Sequence, residues 1–146
     1  MESAFEFIAT LSASLFTGAS IYINLVEHPA RVSCGTALAV TEFAPSYKRA
    51  TIMQVTLAIL SFLSAATAWF MGAGINWLVG GILIVSVIPF TVIVILPTNK
   101  QLLDPSLDKN SEYAYQLLNR WGKLHAIRSI LSLTSVIIFL YSLIRE

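Results

Sequence analysis

The chain has 146 residues, of which 56% are apolar and only 12% charged, with a formal net charge of +1. A soluble domain of this length carries about twice that charge, and a nucleic-acid binder needs a basic face or stripe. Both classes are excluded, so no nucleic-acid partner is expected. A single cysteine, Cys34, leaves no internal disulfide, CxxC redox pair or CxxCH haem attachment. Glu2 and Glu6 stand where a signal peptide has its positive n-region, and the apolar stretch around them is too long for one.

Apolar runs of about 20 residues, the length that crosses a hydrocarbon core, fall at about 4–26, 50–72, 75–97 and 124–144. The fold class this predicts is all-α. Residues 1–146 form one four-span transmembrane domain, an integral membrane four-helix bundle with antiparallel, up-down-up-down order. Small and hydroxylated residues (Ser14, Thr17, Gly18, Ser20) interrupt the first run. The second carries a row of small residues at Ala58, Ser61, Ala65, Ala68 and Gly72, which lets helix backbones approach closely in lipid. Pro45 suits the first turn of the second helix. A tight turn at Gly72–Gly74 joins the second and third spans. Pro89 is expected to kink the third helix and Pro97 to stop it. Residues 104–111 read as a loop, with Ser111 as the N-cap of a last helix running unbroken from about 112 to 144.

Orientation follows from Lys and Arg. The two long loops, 27–49 and 98–123, carry Arg31, Lys48, Arg49, Lys100, Lys109, Arg120 and Lys123, against Arg145 alone on the other side. This bias predicts a multi-pass protein with both long loops cytosolic and both termini non-cytosolic.

Polar residues gather at one end. Ser14, Thr17, Ser20, Asn24, His28 and Arg31 recur at three or four residues and form a stripe facing the bundle. Trp121, His125 and Arg128 share one face of the last helix, with Ser132 and Ser135 continuing it. Tyr47, Arg49 and Gln54 add to the set from the second helix, and Asn99 follows Leu96-Pro97-Thr98 on the third. Ionisable groups within spans are costly, about 2.5–3.5 kcal/mol at the centre, so a shared site is the working expectation. Each residue also has a plainer use. Glu27 can pair with Arg31 at i, i+4, Trp121 can anchor at the interface, Arg128 can snorkel, and Asn99 can cap a helix end.

A metal set is conceivable, because His28, His125 and Glu27 supply the two histidines and one acid that suit non-haem iron. Glu27 and His28 point about 100° apart on a helix. Both reach one ion only where the helix unwinds at Pro29, and no HExxH or ExxH motif occurs.

The first helix ending in Glu27-His28-Pro29-Ala30-Arg31, the Phe43-Ala44-Pro45 segment, the Leu96-Pro97-Thr98-Asn99 stop and the Trp121-x-x-x-His125-x-x-Arg128 face resemble the anthrone oxygenase-like family of small four-helix membrane proteins. The resemblance spans essentially the whole chain. It implies oxidation of an anthrone to an anthraquinone by molecular oxygen without a cofactor. It also implies a site lined by His28, Arg31, Asn99, Trp121, His125 and Arg128.

The leading expectation is a membrane oxidoreductase acting on a flat, lipid-soluble phenol or quinone-like molecule. His28 or His125 takes a phenolic proton, and Arg31 or Arg128 stabilises the anion. Asn24, Asn99, Trp121 and Glu27 hold the substrate. The cofactor is none or a non-haem metal. The alternative is a non-catalytic membrane subunit or lipid-binding bundle. Expected partners are the lipid bilayer, a hydrophobic small molecule, and either a second copy or another membrane protein. The orientation has a direct test. Cys34 should react with an impermeant thiol reagent only after sealed right-side-out vesicles are opened, and labelling of intact vesicles would reverse the assignment.

Overall fold

A computed structural model describes residues 2–145. Four helices account for almost all of them: α1 (Glu2–Ser33), α2 (Thr36–Phe70), α3 (Ile75–Leu102) and α4 (Glu112–Arg145), each long and apolar enough to cross a membrane. Leu15, Leu63, Ile82, Ile130 and Ile137 project outward and exposed. A water-soluble protein rarely tolerates so much contiguous apolar surface.

The helices form a ring in which α1 packs on α2, α2 on α3, α3 on α4, and α4 closes against α1. The small-residue row of α2 makes the close contacts that its spacing predicts. Ala58, Ser61, Ala65 and Ala68 are fully buried, and the Ser61 hydroxyl donates to the Ala9 carbonyl at 2.9 Å. On the opposite wall Ser135 donates to the Gly80 carbonyl at 2.7 Å. Gly72, at φ +120°, makes the turn between α2 and α3. Ser111 caps α4 by accepting the Ala114 amide at 3.1 Å.

Two apolar cores result. One gathers Ala13, Phe16, Ala65, Trp77, Ile84 and Phe139, and the other Ile23, Phe43, Ile95, Leu102, Leu118 and Trp121. The early residues of α1 and α3 join the first core and their later residues the second, and α2 and α4 do the reverse. Between the cores each helix passes through a short stretch that belongs to neither. There Thr17, Ser20, Gln54, His125, Ser129 and Ser132 are buried.

Three expectations need correction. Segment 27–49 is not a loop: it is helical except at the Cys34–Gly35 turn, where Gly35 takes φ +101°. Pro45 accordingly lies well inside α2 rather than in its first turn, because Ala39, Val40 and Phe43 extend the helix by burying themselves in the second core. Nor does Pro97 stop α3, which continues to Leu102. A π-helical turn at Thr91–Ile95 resets the ladder there, leaving Pro97 in the first turn of the next α segment, where a missing N–H costs little. Pro29 in α1 follows a π turn at Ile23–Glu27 in the same way.

A Cβ on Gly80 would lie 2.5 Å from the Phe139 ring, whereas one on Gly18 meets nothing within 4 Å. Gly80→Ala is therefore expected to cost about 1–3 kcal/mol as overpacking and to lower the melting temperature in detergent. Gly18→Ala should hold or raise it, and equal losses would contradict this packing.

Candidate functional site

The site begins with Asn24, which lies within the π turn of α1. Its amide nitrogen donates to the Gly122 carbonyl at 3.1 Å. A carbonyl only accepts, so this bond orients the amide and turns Oδ1 toward α4. Oδ1 there meets the Ser129 hydroxyl at 2.6 Å and His125 Nδ1 at 2.8 Å. Both partners must donate to it. His125 consequently carries a proton on Nδ1, and in the neutral ring Nε2 holds the lone pair.

His28 is placed by close packing: its Nε2 would lie 2.8 Å from a Cβ on residue 122. Only glycine leaves room for it there. Its Nδ1 is buried with no hydrogen-bond partner. Trp121 stands between the two imidazoles, 5.0 Å from His28 and 4.8 Å from His125 by ring centroid. The edge of Phe43 closes on it at 5.3 Å. Trp121 is only 6% exposed, so it is a buried spacer and not an interfacial anchor.

The two arginines differ in what neutralises them. Arg31 bonds Glu27, reaches Glu42 at 2.8 Å and Ser46 at 3.2 Å, and lies over Trp121. Arg128 donates to Gln54 Oε1 at 2.6 Å and lies 5.6 Å over the Phe16 ring. Among the described residues no carboxylate pairs with it. Arg128 thus faces the bundle as an uncompensated cation.

Three neighbouring spaces surround these groups. A chamber of about 20 Å³ is lined by Arg31, Tyr47, Gln54, Trp121, His125 and Arg128. A second cavity of about 110 Å³ shares Tyr47, Thr51, Gln54 and Arg128 with it. Outside lies a groove of about 720 Å³ between α1 and α2, which shares Ile23, Ser46 and Ala50 with the chamber and is also lined by Glu27, Glu42 and Arg49.

The structure thus brings His28, His125, Arg31, Arg128, Trp121, Asn24 and Glu27 together. Asn24 is spent on three hydrogen bonds within the protein. Asn99 is almost fully buried with neither amide atom partnered, and it lines none of these three spaces. The proposed metal set is not assembled. The helix does not unwind at Pro29, Glu27 is engaged by Arg31 and Ser46, and no group of three His, Cys, Asp or Glu side chains suited to a metal occurs among the described residues. Sequence reasoning missed Gly122, Ser129, Glu42 and Ser46. Gly122 did carry a signal, because a glycine inside a long helix costs about 1 kcal/mol relative to alanine and so marks a close approach.

Residues 43–138 match the family model described as anthrone oxygenase. The chain is 26% identical over 149 aligned residues to the anthrone oxygenase tpcL of Aspergillus fumigatus, an alignment covering 94% of this chain and 92% of that protein. No solved structure matches the chain.

The Asn24 bridge has a spectroscopic consequence. Nitrogen-15 spectra of the imidazoles should show His125 protonated at Nδ1, and Asn24→Leu should release it into a mixture of tautomers. Loss of the bridge also strands the Ser129 and His125 donors, at about 1–3 kcal/mol of stability. A His125 ring protonated at Nε2 in the parent protein would refute the assignment.

Proposed function

Because the chain belongs to the anthrone oxygenase family, we propose that it is an integral membrane oxygenase that uses dioxygen to oxidise a flat, lipid-soluble phenol of the anthrone type. The observation that carries this reading is the pairing, in one chamber, of an imidazole whose tautomer is set and a cation with no carboxylate partner among the described residues.

His125 serves as the base through Nε2, and Arg128 steadies the anion that forms. Arg31 is the weaker candidate because Glu27 and Glu42 already neutralise it. His28 braces Trp121 and lines none of the three spaces. The chamber cannot hold a tricyclic ring system. The body of the substrate lies instead in the groove between α1 and α2, and its reacting edge passes between Ile23, Ser46 and Ala50. That route suits a molecule dissolved in lipid. The reaction is balanced as anthrone plus dioxygen giving anthraquinone plus water, with both hydrogens of the oxidised carbon leaving as protons.

His125→Gln keeps most of the side-chain volume but supplies no base near neutral pH, so turnover is expected to fall about 10²–10⁴-fold. Detergent stability should be nearly unchanged, and His28→Gln should cost far less activity. Oxygen uptake by the purified protein with a panel of anthrones and hydroquinones measures both. A parent protein inactive across the panel, or a His125→Gln variant as active as the parent, would turn the reading toward a non-catalytic bundle.

A further inference from the structure

The cavity of about 110 Å³ beyond the chamber has an unusual wall. Phe16, Val55, Val87, Ile88, Val92 and Leu96 make most of it apolar. Its polar lining includes Tyr47, Thr51, Gln54 and Arg128. Gln54 Oε1 is used by Arg128, which leaves Gln54 Nε2 and Arg128 Nε buried without hydrogen-bond partners. The hydroxyl of Thr91, also in the wall, donates to the Val87 carbonyl at 2.6 Å, and the hydroxyls of Tyr47 and Thr51 join the lining. The space therefore offers an apolar body, two uncommitted N–H donors and one positive charge.

Such a wall suits a molecule that enters neutral and apolar and becomes an anion afterwards. A polycyclic substrate is too large for the space. The apolar part of the wall offers water none of the two to four polar partners it needs. We propose that this cavity is the dioxygen-holding site, separate from the groove that takes the organic substrate and meeting it at the chamber between them. The inference rests on the oxygenase reading above.

The chemistry balances. One electron passes from the substrate anion to dioxygen, giving a ring-centred radical and superoxide, whose charge develops against Arg128 and Gln54. Combination of the two forms the C–O bond of a peroxide, which takes up one proton. Removal of the second proton from the same carbon, with cleavage of the O–O bond, leaves the carbonyl and hydroxide, which is released as water. Arg128 and Gln54 contribute charge and N–H donors at the moment superoxide appears, and they neither gain nor lose atoms.

Xenon is the probe, because it occupies apolar cavities of this size and its binding is read independently of turnover. Xenon-pressurised protein should carry xenon between Val55, Val87 and Leu96. Val55→Phe and Val92→Phe, at positions that are not fully buried, should each exclude xenon and raise the apparent KM for dioxygen about tenfold, with the KM for the organic substrate unchanged. Using two sites guards against one variant failing to fold. Absence of xenon from this cavity in the parent overturns the proposal. Xenon binding with an unchanged KM for dioxygen in both filled variants also overturns it, while leaving the oxygenase reading intact. Xenon binding in a parent protein without oxygenase turnover overturns both.

Discussion

A polar side chain in the middle of an apolar bundle must find its hydrogen bonds on a neighbouring helix, since lipid offers none. In this protein that constraint falls mainly on Asn24. Its amide uses both ends at once, one on the backbone of α4 and one on two side chains of α4. The pairing of α1 with α4, the rotation of the His125 ring and the position of Ser129 are solved together by one residue. Gly122 permits the arrangement by leaving room for His28 beside it.

Much of this was legible in the sequence, because the features involved are periodic. Four long apolar runs, the small-residue row of α2, the Gly72 turn, the Ser111 cap and the inward polar stripes all depend on spacing, and spacing survives folding. Pro45 and Pro97 were misread. Both look like helix ends under a rule that assumes a regular α ladder. Pro97 follows a π turn, which only the packing of side chains reveals, and Pro45 is carried by the burial of Phe43 and its neighbours. The role of Asn24 and the Ser46 contact of Glu27 were hidden for a related reason, whereas the Glu27–Arg31 pair was legible from its i, i+4 spacing. Residue type marks a group as able to bind a ligand, but whether its bonds are already used depends on residues about 100 positions away for Asn24 and 19 away for the Ser46 contact of Glu27.

The two arginines show how context separates identical groups. Arg31 sits among carboxylates and a hydroxyl and ties the end of α1 to the start of α2. Arg128 meets an amide oxygen and an aromatic face, with no carboxylate partner among the described residues. In surroundings of low polarity, a lone cation exerts a far stronger field on whatever enters beside it than one already paired. The same side chain is therefore a structural clamp in one place and a source of potential in the other.

The π turn at Ile23–Glu27 has a consequence for the numbering of the chain itself. Such a turn holds one more residue than the α-helical turn it replaces. The turn absorbs that surplus, so the segment beyond keeps the phase of a regular helix one residue shorter. Removing one residue from the turn would let α1 close into a regular helix with His28 and Arg31 still on the inner face, whereas removing one from the α segment before it would rotate everything beyond by about 100°. His28 and Arg31 would then swing off the inner face while the apolar span stayed as long as a bilayer requires. Length and hydropathy would barely record either change, yet in the second case the polar centre would come apart. The integrity of this centre is a matter of residue count as much as of residue identity.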